Sequence, residues 1–377
     1  MPEFFKEDEK KVEYIELIYD LIFVYLIGRN NSLVQDIERG FIRPELFLTY
    51  VLCTLITIQI WYTTTLFINR HGSNHIQEYI GLFINMFLLY YMADGTRVHW
   101  SSTFYKYNTA WLLILVNIGV QYYLKYREVS RETPWEAANL LYYIRLLAIQ
   151  SGIVLIGMLL YKPLGIPLTP LAMIFGLVMT VLGRERADLV ALDFTHLTER
   201  IMLYIVFSFG EMIIAVSIYF SGRVTANGIY YALMAFLIVV GLFMSYGFFY
   251  DRLLDREMMV SGNAYMCLHV FIIFALSCLT TALEFMPEDL IATIPKTIFL
   301  VASFVVYYLF LFLAFPYTKN YEEKKGAVKP FVITLVLFVL LMAVFHRHPH
   351  INIAVSVGLT FVVWYLLHRY ERTGEQE

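Results

Sequence analysis

The sequence predicts an all-α integral membrane protein with about twelve transmembrane helices. Three observations carry that expectation. Hydrophobic residues make up 59% of the 377 positions against 16% charged, the mean hydropathy is +0.63, and apolar runs of near-bilayer length recur with only short polar connections. A hydrocarbon core of roughly 30 Å requires about 20 apolar residues in helical form. Such segments centre on 12–34, 45–68, 77–95, 107–125, 138–160, 166–182, 196–220, 228–250, 262–283, 291–315, 329–346 and 350–368. No connection leaves room for a separate soluble domain, so any chemistry is expected inside the bundle or at its mouths.

In chain order, the N-terminal MPEFFKEDEKKVEY mixes Lys with Glu and lacks both an apolar core and a small-residue cleavage site. It is therefore expected to stay on the protein rather than act as a removable signal peptide. Span one, YIELIYDLIFVYLIGR, is apolar enough for a bilayer yet carries Glu16, Asp20 and Arg29. An Asp at the centre of a membrane helix costs roughly 2.5 to 3.5 kcal/mol on insertion scales, so such residues need a reason. Glu16 and Asp20 share one helical face, and further turns reach Asn30 and Asn31. Span two ends in WYTTTLFINR, with Asn69 and Arg70. Span five contains Arg145, and span seven, HLTERIMLYIVFSFGEMIIAVS, contains His196, Glu199, Arg200 and Glu211. At 1.5 Å per residue, Glu211 lies about 16 Å beyond Arg200, which puts it near mid-membrane. Span eight ends in FMSYGFFYDR, with Asp251, and span nine places His269 in mid-helix.

The chain reads as two halves, 1–186 and 187–377, each of six spans. Asn69-Arg70 matches Asp251-Arg252 at an offset of 182, and Glu16 matches Glu199 at an offset of 183. An even number of spans per half keeps both copies in the same orientation, as in parallel-repeat transporters. Glu16, Asp20, Arg145, His196, Glu199 and Arg200 then occupy one membrane half, joined by Asn69 and Asp251. Four acids, Glu16, Asp20, Glu199 and Glu211, stand against two intramembrane cations, Arg145 and Arg200. All four acids are expected to face the interior, with at least one of them protonated. The alternative for any one carboxylate is a purely structural pairing that holds helices together.

The stretches IELIYDLIFV, WYTTTLFINR, HLTERIMLYIVFSFGE, YGFFYD and YMCLHV with Glu284 resemble, in the same order and over most of the chain, the low temperature requirement A family. Ile18 and Tyr19 stand where the family pattern has two Phe, and Phe209 stands where it has Leu, while every charged position is kept. The resemblance implies a polytopic bacterial inner-membrane protein and carries no mechanism with it.

Other chemistry is excluded or weak. A net charge of −3 with no basic stripe gives no case for nucleic acid. Cys53, Cys267 and Cys278 lie in apolar runs and make neither a metal spacing nor a disulfide framework. His196-x-x-Glu199 offers two ligands without a third and reads better as a hydrogen-bonded pair at a helix end. His269 reads as a satisfied core histidine, HRHPH (346–350) as a solvated loop, and the 29 Tyr and 30 Phe mostly as packing and interfacial belt. Phosphate loops and nucleophile elbows are absent, so no catalytic residue, cofactor or metal ligand is assigned. The partners expected are membrane lipids and a small molecule or ion. Three functions fit: a secondary transporter or proton-coupled permease with a cytoplasm-facing charged cavity, an intramembrane enzyme acting on a lipid or polyprenyl substrate, and a non-catalytic protein of envelope adaptation or sensing. Acids continuing to the depth of Glu211 favour the first.

Basic residues set the expected orientation. Of the 28 Lys and Arg, 17 fall on the side of both termini and the even-numbered loops, nine on the other side, and Arg145 and Arg200 within spans. Both termini are therefore expected in the cytoplasm. A single cysteine placed in the 319–329 loop, in a chain lacking Cys53, Cys267 and Cys278, should be shielded from an impermeant thiol reagent in intact cells. Labelling from outside would reverse the topology.

Overall fold

In the computed structural model the described residues are 11–96, 100–130, 133–165, 167–183, 190, 192–220, 225–260 and 262–373. Lys6, Lys10, Arg97, Arg131, Arg184, Arg186 and Arg223 of the basic count lie outside them. The described chain is all-α, with twelve helices of thirteen residues or more. These are α1 (Tyr14–Asn31), α2 (Pro44–His71), α3 (Ile76–Asp94), α4 (Trp100–Val129), α5 (Pro134–Leu164), α6 (Pro170–Leu182), α7 (Phe194–Val216), α8 (Ala226–Phe248), α9 (Asn263–Phe285), α10 (Thr293–Leu313), α11 (Lys329–Val344) and α12 (Pro349–Arg372). Each predicted segment overlaps one of them.

Among the described residues eight helices, α2, α5 and α7 to α12, are long and apolar enough to cross a membrane, α11 together with the turns from Tyr321 that lead into it. The other four fall short for local reasons. Glu16, Asp20 and Arg29 interrupt α1, and Glu78 and Asp94 lie at the two ends of α3. Polar turns open and close α4. The 13 residues of α6 span only about 20 Å.

Helix ends follow local chemistry. Pro stands at the start of α5, α11 and α12, where its missing N–H costs nothing. The left-handed Gly165 (φ 66°) stops α5, and Thr225 caps α8 by accepting from the Gly228 amide. A departure from pure helix is a small hairpin, β1 (Ile37–Glu38) and β2 (Phe41–Ile42). Its turn, Arg39-Gly40, has positive φ at both positions, the twist that two-residue hairpins require.

The chain divides into two compact units: Met1–Leu33, Pro44–Ile201 and Glu257–Val270 form the first, and Val34–Arg43, Met202–Arg256 and Phe271–Glu377 the second. The principal boundary falls within α7, between residues 201 and 202, whereas the sequence offsets suggest a division at 186.

In the first unit α2 is the central element, buried along most of its length. Gly176 of α6 lets the chain approach so closely that an added Cβ would stand 2.3 Å from Gln59 Nε2 and 2.5 Å from Gln150 Nε2. Those two glutamines satisfy each other, Gln150 Nε2 donating to Gln59 Oε1 at 3.0 Å, while Gln59 Nε2 donates to the Met173 carbonyl at 3.1 Å. Buried amides matched in this way are tolerated inside a membrane bundle. In the second unit α8 packs on α12 through Gly241, whose missing Cβ would lie 2.1 Å from Thr360 Oγ1. The hairpin is tied to the start of α10 by the Ala292 amide donating to the Gly40 carbonyl at 2.7 Å.

Candidate functional site

The charged residues of α1 and the first turns of α7 meet inside the first unit. Asp20, His196 and Arg200 are completely buried and Glu16 is 1% exposed. Arg200 bridges the two acids: Nη2 donates to Asp20 Oδ1 at 2.5 Å, and Nη1 lies 3.0 Å from Glu16 Oε2. Asp20 Oδ1 also accepts from the Trp61 indole of α2 at 2.8 Å. Beside this pair, Tyr19 shares a hydroxyl contact of 3.1 Å with Thr64. The i, i+4 spacing of Glu16 and Asp20, and of His196 and Arg200, places each pair on one helical face, so two helices supply a compact set of four groups.

His196 is held by a chain of contacts that begins at the end of α7. Asp193 caps that helix, its Oδ1 accepting from the His196 amide at 2.9 Å. The Asp193 backbone in turn grips Asn69 of α2: its N–H donates to Asn69 Oδ1 at 3.1 Å, and its carbonyl accepts from Asn69 Nδ2 at 2.8 Å. These two bonds fix which end of the amide is which. Asn69 Nδ2 therefore presents a donor to His196 Nδ1, 3.1 Å away, and Nδ1 must be an acceptor. In the neutral ring the proton is then on Nε2, which lies 3.4 Å from Glu16 Oε2.

Two carboxylates, one guanidinium and one imidazole thus lie together in a buried set, where ionised groups are tolerated only when they are paired. Asp20 Oδ2 is buried without a hydrogen-bond partner among the described residues; a proton there would displace no existing hydrogen bond.

The residue after Asn69 on α2 opens a second polar network. Arg70 donates to the Tyr143 hydroxyl and to Asn263 Oδ1, both at 3.0 Å. Asn263 donates onward to the Thr180 carbonyl at 3.0 Å, and Tyr62 donates to the Asn263 carbonyl at 3.2 Å. The next residue, His71, sits 3.0 Å from Glu136 Oε1 and 3.1 Å from Asn139 Oδ1.

The other residues singled out in the sequence lie elsewhere. Glu199 is exposed, because it is turned about 100° round α7 from Arg200; its carboxylate faces away from the interior, contrary to the sequence expectation, and does not converge with His196. Arg145 is exposed on α5, next to the inward-facing Tyr143 and Leu146, and does not pair with the buried acids. Asp251 is exposed in the π-helical turn Phe249–Leu253, as is Arg252, whereas its sequence counterpart Arg70 is buried. His269 is buried, with Nδ1 on the Tyr265 carbonyl one turn back at 2.7 Å. Glu211 is half-buried in the second unit. There Glu284, hydrogen-bonded by Gln35, lies within electrostatic range of Glu211.

Sequence reasoning missed Trp61, Asp193, Asn263, His71 and Glu136. Asp193 was readable, since an Asp directly before a helix is a capping signal. The other four carry no signal until the helices are assembled.

A chain of this kind, with many apolar helices around a buried set of ionisable groups, is a multi-pass membrane protein. The family model described as bacterial low temperature requirement A protein matches residues 11–367, and the chain belongs to that family. No curated protein and no solved structure matches it.

Arg200 is the guanidinium that serves both acids of the cluster, so its loss should cost far more than the loss of either acid. Removing one partner of a buried pair costs about 3–5 kcal/mol. Arg200→Gln is therefore expected to lower the thermal unfolding midpoint sharply, Asp20→Asn much less, and the triple variant Glu16→Gln/Asp20→Asn/Arg200→Gln should recover part of the loss. Size-exclusion after heating reads all three, and equal destabilisation by Arg200→Gln and Asp20→Asn would contradict a guanidinium shared by two acids.

Proposed function

We propose that the protein is a proton-coupled secondary transporter of the bacterial inner membrane, with Glu16 and Asp20 as the coupling pair. The observation that carries this reading is that two buried carboxylates one helical turn apart share one guanidinium, Arg200, beside the His196 imidazole. Two carboxylates that share one proton titrate as a unit, so such a pair can bind and release one.

The residues have distinct roles in this scheme. Asp20 takes the proton on Oδ2, the oxygen without a hydrogen-bond partner among the described residues. Arg200 then shifts its weight to Glu16, and on release it again bridges both acids. His196, oriented by Asn69, stands beside Glu16, and Trp61 keeps Asp20 Oδ1 in place in both states. The bridge joins α1 to α7, and α7 continues into the second unit, so the protonation state acts on a helix common to both. The twelve helices would all cross the bilayer, the four less apolar ones shielded by their neighbours, with both termini in the cytoplasm as the 17-to-9 basic asymmetry indicates. The offsets of 182 and 183 support two related six-helix halves.

The isosteres Glu16→Gln and Asp20→Asn test the coupling. In liposomes under an imposed pH gradient, a substrate screen on the wild type should yield uptake that depends on the gradient. Both isosteres should remain monodisperse, and Asp20→Asn should abolish the pH dependence of that uptake. Retention of full gradient dependence by both variants would remove the cluster from the transport cycle.

A further inference from the structure

The second unit holds a site of another kind at the junction of α11 and α12. A cavity of about 430 Å³ is lined by Lys324, Arg369, Phe331, Leu366 and Tyr370, with Glu323 at its edge. Lys324, in the one-turn helix Tyr321–Lys324, is only 7% exposed. Its ammonium donates to the Glu371 carbonyl at 3.1 Å and lies 5.5 Å from the centre of the Tyr370 ring, and it makes no ion pair among the described residues. An ammonium has three N–H bonds. One serves the carbonyl and one faces the ring, leaving one for a group in the cavity. Arg369 is exposed and belongs to the same lining, so the two cations outnumber Glu323, the single lining acid.

The lining also has apolar members, Leu366 of α12 and Phe331 of α11, and α11 buries only Phe331, Phe338 and Met342. Val332, Ile333, Val336, Leu337 and Leu340 of that helix are all more than half exposed. A soluble phosphate would use the cations alone. A ligand that uses the cations, the aromatic wall and this apolar strip together has an anionic head and hydrocarbon tails.

We propose that this cavity is a binding site for the phosphate headgroup of an anionic phospholipid, with Lys324 and Arg369 as the phosphate ligands and α11 as the acyl-chain track. Basic pockets beside transmembrane helices recognise anionic headgroups through such charge-assisted contacts.

Native mass spectrometry of the full chain in detergent tests it, with dioleoylphosphatidylglycerol, dioleoylphosphatidylcholine, glycerol phosphate and inorganic phosphate as probes. Phosphatidylglycerol should be retained in clear preference to phosphatidylcholine, and Lys324→Gln and Arg369→Gln should each weaken that retention about fivefold. Arg369 is exposed, so its variant remains informative even where the buried Lys324 substitution impairs folding. Lys125→Gln/Arg127→Gln, on the first unit, should change nothing. Equal retention of the two lipids, undiminished retention in Arg369→Gln, or the same thermal stabilisation by inorganic phosphate as by phosphatidylglycerol would overturn the proposal.

Discussion

The bridge from Arg200 to Glu16 and Asp20 is the constraint on which the first unit depends. It joins residues 180 positions apart in sequence, and every group around it serves to keep it dry and aligned. Trp61 fixes one oxygen of Asp20, while the Asp193 cap orients Asn69, which in turn sets the tautomer of His196. The sequence of contacts runs through α1, α2 and α7, so three helices are locked by a single polar unit. Apolar packing alone discriminates poorly among helix arrangements in lipid, where hydrocarbon tails are as good a neighbour as leucine. A buried hydrogen-bonded charge set has far fewer solutions.

Much of this was legible in the sequence because membrane helices announce themselves by length and hydropathy. The twelve apolar segments each fall on one helix, eight of them long and apolar enough among the described residues to cross a membrane, and the spacing of Glu16 with Asp20 correctly indicates one shared face. The i, i+4 pair His196 and Arg200 likewise points inward. What the sequence could not supply is rotation. Glu199 lies between those two positions and reads as equally polar, yet it faces outward, and Arg145 does the same beside the inward Tyr143. The partners Trp61 and Asn263 come from distant segments and have no periodic signature at all. The matched dipeptides Asn69-Arg70 and Asp251-Arg252 look alike in sequence, but the first is buried in a hydrogen-bonded network and the second is exposed.

The balance of charge changes accordingly. Counting along the sequence sets four acids against two arginines; assembled, the cluster holds two of those acids, one arginine and one histidine. Glu211 and Glu284, with Gln35, form a separate acidic group in the second unit.

The coupling pair proposed above should hold one proton on Asp20. Infrared difference spectroscopy of the purified protein near neutral pH reads it directly, because a protonated carboxyl and a carboxylate absorb at different frequencies. The wild type should show a protonated-carboxyl band that disappears in Asp20→Asn and persists in a variant at the exposed Glu199. A wild-type spectrum unchanged in that region by Asp20→Asn would show that Asp20 carries no proton and contradict the account.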